Sequence, residues 1–370
     1  MVDVFKVCES MISHIKSQYP NDVAIAAYYG SYAQGTATKR SDLDFFYIPA
    51  SEAGRQVSLQ FIVGDISFDL WPISWERAQR MAQFDEMPTI IADCKLLYVR
   101  SDEDLQRFME LRKTVTTMQA PENRIKLIEK AESCLCSACM HLYKLRRDGK
   151  SRLTVLRTEA QGVLTHTLQG LAVLNGTYFT KGFGKNKEQI MNLTLRPNQL
   201  ETLMNKIMRS VTYTDTVEAC ERLMSDTLEI VEAQKELCVK EPSYGERMYG
   251  FYEEEKGILD KILTACERND YDTAFFFSIH AQQEISHFLY FAERGQWPSE
   301  LESSWVSQDI YRRIGFPNLV EWLDPDELSP LQTAVEQLKF QLEAYLLDKG
   351  VRINRFGTLE QFKTFLSTRG

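Results

Sequence analysis

The stretch that decides the fold runs from Tyr28 to Ile48 and reads YYGSYAQGTATKRSDLDFFYI. An apolar run, VAIAAYY at residues 23–29, leads into it and ends at Gly30, and a second apolar run, LDFFYI at residues 43–48, closes it. β-branched and aromatic residues of this kind favour strands. The stretch therefore predicts two strands joined by a glycine-containing loop or helical turn that becomes charged towards its end.

Two aspartates, Asp42 and Asp44, stand where the second strand begins. Residues i and i+2 of a strand project from the same face, so the two carboxylates are expected to lie side by side. Neighbouring carboxylates repel each other unless a positive charge lies between them, and a hard cation such as Mg²⁺ prefers their oxygens. The alternative is a helix N-terminus capped by Ser41, but the aromatic residues that follow favour a strand.

A third acid follows in the segment ISFDL, which starts at residue 66. The runs at 55–63 and 66–73 flank a Gly-Asp pair and predict a hairpin. Ile66, Phe68 and Leu70 alternate with polar residues, so Asp69 is expected on the opposite face. If this strand lies beside the 43–48 strand, Asp69 joins the other two acids. Three carboxylates are enough to hold two Mg²⁺ ions in a site for phosphoryl-type displacement.

The loop between the first two strands offers candidates for phosphate binding. Gly30 permits close approach of a ligand to the backbone, and the hydroxyl of Ser31 and nearby N–H groups suit phosphate oxygens. Lys39 and Arg40 precede the acidic strand and are predicted to contact triphosphate oxygens. For these two cations, simple solvation of a charged loop is the alternative.

The rest of the chain divides into a sheet-containing part and two helical parts. Periodicity predicts helices at 3–18, 74–86 and 102–118, a strand at 95–100, and helices almost throughout after Pro121, with a linker at 241–244. The predicted fold class is α+β, with a small mixed-sheet domain followed by a mostly α-helical bundle region. The predicted domains are 1–118, a helical bundle at 119–240 on the acceptor side, and a second helical segment at 241–370.

Composition limits the classes of partner. The chain has 370 residues with 43 Lys plus Arg against 52 Asp plus Glu, a net charge of -9. This balance disfavours broad binding to nucleic acid, which needs concentrated positive charge. No apolar run approaches the ~20 residues that cross a bilayer, and the opening residues lack a signal-peptide pattern. The protein is therefore predicted to be cytoplasmic, with no membrane segment.

GSYAQGTATKRSDLD, followed by a strand aspartate, resembles the signature of the nucleotidyltransferase superfamily that includes DNA polymerase β-like domains. Gly30, Ser31, Asp42, Asp44 and Asp69 fill the pattern. With a helical region behind it, the layout is similar to the aminoglycoside and lincosamide nucleotidyltransferases. The resemblance implies two Mg²⁺ ions, ATP or another nucleoside triphosphate as donor, and a small acceptor hydroxyl, that of an antibiotic in that group. It also implies release of pyrophosphate, and dimers are frequent in the group.

In that group the helical domain supplies much of the acceptor pocket, and in some members a glutamate that removes the acceptor proton. Glu159 is the candidate for this general base, since it lies beside the apolar stripe of its helix. A solvated helix face is the alternative. His166 falls on the same helix face and is predicted to line the same cleft. Acceptor specificity is expected near Glu159 and in the loop at 176–185.

Three other functions stay open at this point. The first is transfer of a nucleotide to a protein or RNA target by an AMP-adding or antitoxin-like enzyme. The second is synthesis of polynucleotide or tRNA ends, which the acidic charge balance opposes. The third is a non-catalytic nucleotide-binding regulator, which the complete set of acids makes less attractive.

Overall fold

The structure, a computed structural model, describes residues 2–182, 184–301 and 304–368. The chain divides into two compact units, Met1–Cys238 and Val239–Gly370. Among the described helices, none combines the length and the apolar character that crossing a bilayer requires.

The first part of unit 1 alternates strands and helices. In chain order it contains α1 (Val4–Gln18), β1 (Val23–Tyr28), α2 (Gly30–Ala33), β2 (Leu43–Pro49), β3 (Leu59–Val63), β4 (Ile66–Pro72), α3 (Trp75–Ala82), α4 (Thr89–Ala92), β5 (Lys95–Val99) and α5 (Asp102–Met118). Asp3, Ser74 and Ser101 cap α1, α3 and α5, because each side chain accepts a hydrogen bond from a backbone N–H of the first turn.

The strands form a mixed sheet of five in the order β3-β4-β2-β1-β5, within the described residues. β2 and β4 run parallel, whereas the other neighbouring strands are antiparallel. In the parallel pair, Asp44 lies opposite Asp69. The strand that carries Asp69 therefore lies beside the strand that carries Asp44, so Asp69 joins the other two acids.

Alternate residues of β2 enter two apolar cores, one on each face of the sheet. Leu43, Phe45 and Tyr47 pack in the core that contains α1. Phe46 packs in the core on the other face, to which α3, α4 and α5 contribute. Asp44 alternates with the first set and therefore lies on the face of Phe46.

The rest of unit 1 is helical. It contains α6 (Arg124–Asp148), α7 (Leu153–Leu174), α8 (Lys187–Met191), α9 (Leu200–Arg209) and α10 (Tyr213–Glu236). α6 and α7 pack together along their lengths, and α10 packs against both. Leu127, near the start of α6, and Val173, near the end of α7, join the core of the sheet face that carries Asp44. The start of α6 and the end of α7 are therefore the parts of this hairpin that meet the sheet.

Unit 2 is helical as well. It contains α11 (Tyr244–Arg247), α12 (Phe251–Glu267), α13 (Tyr271–Arg294), α14 (Ser304–Ile314), α15 (Ser329–Asp348) and α16 (Leu359–Ser367). α12 packs against α13 and α15, and α14 packs against α13. A sheet-containing part followed by helices confirms the predicted α+β class.

The segment after Gly30 forms a single helical turn, α2, which is one of the two forms that the sequence allows there. One helix near the sheet is shorter than predicted. The helix predicted at 74–86 ends at Ala82. Phe84 takes a φ of 67°, a left-handed conformation that an α-helix does not continue through.

Candidate active site

The sheet brings Asp42, Asp44 and Asp69 to one place. Asp44 and Asp69 are register partners on the parallel strands, and Asp42 lies two residues before Asp44. Burial, and then the negative charges of Asp42 and Asp69, raise the pKa of Asp44 to about 6. The three carboxylates are therefore close enough to repel one another, which is the electrostatic condition that attracts a cation.

Gly30 lets the Asp44 carboxylate lie close to the backbone, because glycine has no Cβ atom. Its φ is +72°, and a Cβ atom there would lie 2.4 Å from Oδ2 of Asp44. The backbone N–H of Tyr29 donates a hydrogen bond to the carbonyl of Asp44 at 2.9 Å. Ser31 follows in α2, so the turn that carries both predicted phosphate contacts is fixed directly against the acidic strand.

Three further side chains shape the site and were missed from the sequence. Gln60 Nε2 donates to Asp69 Oδ1 at 2.8 Å, and Trp71 Nε1 donates to the Tyr29 hydroxyl at 3.2 Å. Burial first, and then the charge of Asp44, raise the pKa of Tyr29 to about 12, so this hydroxyl stays protonated at neutral pH. Trp71 lies two residues after Asp69 on the same strand face, which is the one signal that the sequence offered.

The donor set agrees with Mg²⁺ in its chemistry. Among the described residues, no group of three or more His, Cys, Asp and Glu side chains is arranged as a metal site formed by protein ligands alone. Mg²⁺ in nucleotide sites usually takes one or two carboxylates and completes its shell with phosphate oxygens and water. Asp42 and Asp44 supply such a pair, and the absence of a side chain at Gly30 lets the Asp44 carboxylate lie directly against the Gly30 backbone.

Lys39 and Arg40 are exposed in the loop before the acidic strand. Hydroxyl groups shape this loop, since the backbone N–H of Thr38 donates to Ser41 Oγ at 2.8 Å. The two cations therefore stand within four residues of Asp42, and their contact with a triphosphate stays a prediction.

Glu159 lies in a small cluster of ionisable residues between α6 and α7. Its Oε2 lies 2.7 Å from Nδ1 of His141, and the His141 ring stacks on that of His166 with 5.3 Å between centroids. Gly162 makes room for this ring, because a Cβ there would lie 2.3 Å from Nδ1 of His141. The Glu159 side chain is 16% exposed, so it is not the solvated glutamate of the alternative interpretation.

The cluster lies away from the sheet end of its helices. Val173 packs at the sheet, and the rise of about 1.5 Å per residue puts Glu159 roughly 21 Å back along α7. In the described part of the chain, no hydrogen bond or ion pair joins Glu159 to the three aspartates. Burial, and then the charge of His141, lower the pKa of His166.

A cleft of about 670 Å³ lies at the end of α2. Its lining residues are Ala33, Gln34, Ala92, Asp93, Cys94, Lys95, Leu96, Arg112, Thr180 and Lys181. The Gln34 side-chain amide donates to the carbonyl of Thr180 and so ties α2 to the 176–185 loop. That loop, apart from Phe183, which lies outside the described residues, was expected to help recognise the acceptor.

One family model matches part of the chain. Residues 105–236 match the family model of the KNTase (kanamycin nucleotidyltransferase) C-terminal domain. The chain is also similar to the solved structure of a nucleotidyltransferase-like protein from Exiguobacterium sibiricum 255-15, at 12% identity and a TM-score of 0.37. That similarity covers 62% of this chain and 76% of the other. A comparison with curated proteins returns no match. The matched helical domain directly follows a mixed sheet that carries Gly30-Ser31 and the three aspartates, and this family match supports the resemblance to the nucleotidyltransferase superfamily.

Proposed function

We propose that the protein transfers a nucleoside monophosphate, AMP from ATP by preference, to a hydroxyl of a small acceptor and releases pyrophosphate. The reaction depends on Mg²⁺. The observation that carries the proposal is the register pair of Asp44 and Asp69, with Asp42 beside it and with Gly30 directly against the Asp44 carboxylate.

Each residue near the pair has a distinct part. Asp42 and Asp44 hold Mg²⁺ together with phosphate oxygens of the donor, and Asp69, kept in place by Gln60, completes the acidic set. Bound Mg²⁺ supplies positive charge against the charge that develops on the transferred phosphoryl group. The Gly30-Ser31 turn orients the triphosphate with backbone N–H groups and a hydroxyl. Lys39 and Arg40 add charge beside it.

Glu159 is proposed to take the proton of the acceptor hydroxyl as a pair with His141. The 2.7 Å contact between Glu159 Oε2 and His141 Nδ1 fixes the orientation of the two groups. A general base must lie within hydrogen-bond reach of the attacking hydroxyl, so this role requires the acceptor hydroxyl beside the pair and stays a prediction. Glu159→Gln is then expected to lower kcat by roughly 10²–10⁴-fold with little change in KM.

The test is pyrophosphate release by the full chain with Mg²⁺ and each of the four common nucleoside triphosphates in turn. The acceptor panel contains aminoglycosides, lincosamides, sugars and sugar phosphates. We expect release that needs both the acceptor and Asp42, so that Asp42→Asn is inactive. Asp102→Asn, an exposed aspartate in the first turn of α5, is the matched control and retains activity.

Two results would contradict the proposal. One is the absence of acceptor-dependent release with every nucleotide. The other is radiolabel from α-labelled ATP that appears only in protein bands or RNA of a cell lysate, which would assign a macromolecular target.

A further inference from the structure

The cleft beside α2 has an unequal charge balance. Lys95, Arg112 and Lys181 line it, against a single lining carboxylate, that of Asp93. Asp93 is engaged by hydroxyl groups, since Thr89 Oγ1 donates to its Oδ2 at 3.0 Å and the Tyr178 hydroxyl lies 3.4 Å from its Oδ1. The wall of the cleft is therefore cationic, although the whole chain carries a net charge of -9.

Hydrogen bonds hold the Arg112 side chain in place. Its Nε donates to the carbonyl of Ile91 at 3.2 Å, and one Nη donates to the carbonyl of Cys94 at 2.6 Å. Backbone carbonyls fix the guanidinium, but among the described residues no carboxylate forms an ion pair with it. A half-buried guanidinium held in this way is preorganised for an anion.

The cleft is one helical turn from the acidic site. Ala33 and Gln34 at the end of α2 line it, whereas Gly30 at the start of α2 faces Asp44. A helical turn rises by about 5.4 Å, so α2 places the cleft and the acidic site near each other. The donor phosphates are assigned to the Gly30-Ser31 side, which leaves the cleft for the second substrate.

We propose that this cleft binds the acceptor and recognises an anionic group on it, a phosphate or a carboxylate, through Arg112, Lys95 and Lys181. This inference rests on the proposed function, because it names the class of acceptor. A volume of about 670 Å³ is typical of small-molecule sites. Like charges across such a wall disfavour a polycationic acceptor, so an aminoglycoside is expected to bind worse than a sugar phosphate.

The direct test measures anion binding without any reaction. Calorimetry of the full chain, without divalent metal, uses inorganic phosphate and glucose 6-phosphate as probes, with glucose as the uncharged comparison. We expect both phosphates to bind, glucose to bind more weakly, and Arg112→Gln to weaken the phosphates roughly tenfold or more. Lys113→Gln is the matched control, because Lys113 is exposed beside Glu110 and does not line the cleft.

Arg112 also supports the backbone at Ile91 and Cys94, so its replacement can disturb folding. The double variant Lys95→Gln, Lys181→Gln changes only exposed side chains and is expected to weaken the same phosphates. Equal phosphate binding by the wild-type chain and both variants would overturn the proposal.

A second arm separates the two sources of phosphate. The probe is a non-hydrolysable ATP analogue with Mg²⁺, whose affinity should stay within about threefold in the cleft variants. If the cleft variants lose affinity for the analogue in parallel with their loss of affinity for inorganic phosphate, the cleft binds the donor and the acceptor assignment is overturned. Anion binding that depends on Arg112, in a chain that releases no pyrophosphate with any acceptor, would instead contradict the proposed function.

Discussion

Asp44 in unit 1 and Glu255 in unit 2 are carboxylic acids with the same kind of perturbation. Burial, and then the charges of Asp42 and Asp69, raise the pKa of Asp44 to about 6. Burial, and then the charges of Glu284 and Glu254, raise the pKa of Glu255 to about 7. Both groups resist ionisation because they lack solvent and a compensating positive charge.

Their surroundings differ. Asp44 lies at the start of β2, with the exposed carboxylates Asp42 and Asp69 beside it. Gly30, which has no side chain, lies against the Asp44 carboxylate. Glu255 is 4% exposed on α12, and its Oε2 has no hydrogen-bond partner among the described residues. A raised pKa therefore does not identify a reactive site by itself. What distinguishes Asp44 is its position beside two exposed carboxylates, which can act with it as oxygen ligands.

The largest expected effect is the loss of activity in Asp44→Asn. This variant should lower kcat/KM by roughly 10³-fold or more, since it removes a ligand that Mg²⁺ needs in the transition state. The same variant should raise the Tm of the metal-free chain at pH 7.5. The folded state raises the pKa of Asp44 above 3.8, so ionisation of this group removes stability as the pH rises to about 6, and asparagine cannot ionise. A Tm of Asp44→Asn below that of the wild-type chain would contradict the statement that ionised Asp44 destabilises the metal-free fold.

Gly30→Ala directly tests the close packing of the Asp44 carboxylate against residue 30. The added Cβ would lie 2.4 Å from Asp44 Oδ2, and it would also strain a residue whose φ is +72°. We expect roughly a 10²-fold loss in kcat/KM and a loss of about 1–2 kcal/mol in the free energy of unfolding. Gly35→Ala is the control, because Gly35 has a φ of +69° but no atom within 4 Å of an added Cβ. Equal loss of activity in both variants would show that backbone strain, and not the contact with Asp44, is responsible.

Metal binding should depend on pH in the range set by Asp44. Below about pH 6 the Asp44 carboxyl group is protonated. Each further decrease of one pH unit is therefore expected to weaken Mg²⁺ or Mn²⁺ binding roughly tenfold. The measurement is the metal-induced rise in Tm between pH 5 and pH 8, in the presence of a non-hydrolysable triphosphate. A rise that stays constant over this range would contradict the assignment of Asp44 as a ligand.

Glu255→Gln should stabilise unit 2 without affecting transfer. The folded state raises the pKa of Glu255 above 4.5, so the stability contributed by the protonated form is present below about pH 4.5 and is lost as the pH rises through about 7. At pH 8 we expect the variant to gain about 1–2 kcal/mol in the free energy of unfolding. Urea titration followed by tryptophan fluorescence at pH 4.5 and pH 8 measures this gain. A stabilisation that is equal at both pH values would contradict it.

Much of the sheet part was predictable, because local patterns determine it. The run of aromatics after Asp44 specifies a strand, and the alternation of Ile66, Phe68 and Leu70 fixes the face on which Asp69 lies. A loop and a helical turn both remained possible after Gly30, since a four-residue helix has no periodicity to detect.

The surroundings of the site depend on contacts between distant parts of the chain. Gln34 and Thr180 are 146 residues apart, and His141 and Glu159 meet only because α6 and α7 pack together. A single sequence carries no direct signal for such distances. For the same reason the cationic cleft around Arg112 could not be anticipated.

The most direct test of a metal site at Asp42 and Asp44 is a titration with Mn²⁺, which reports on a Mg²⁺ site by electron paramagnetic resonance. The wild-type chain with a non-hydrolysable ATP analogue at pH 7.5 is predicted to bind Mn²⁺. Asp42→Asn and Asp44→Asn are predicted to lose that binding, and Asp102→Asn to keep it. Unchanged Mn²⁺ binding in both site variants would contradict the account.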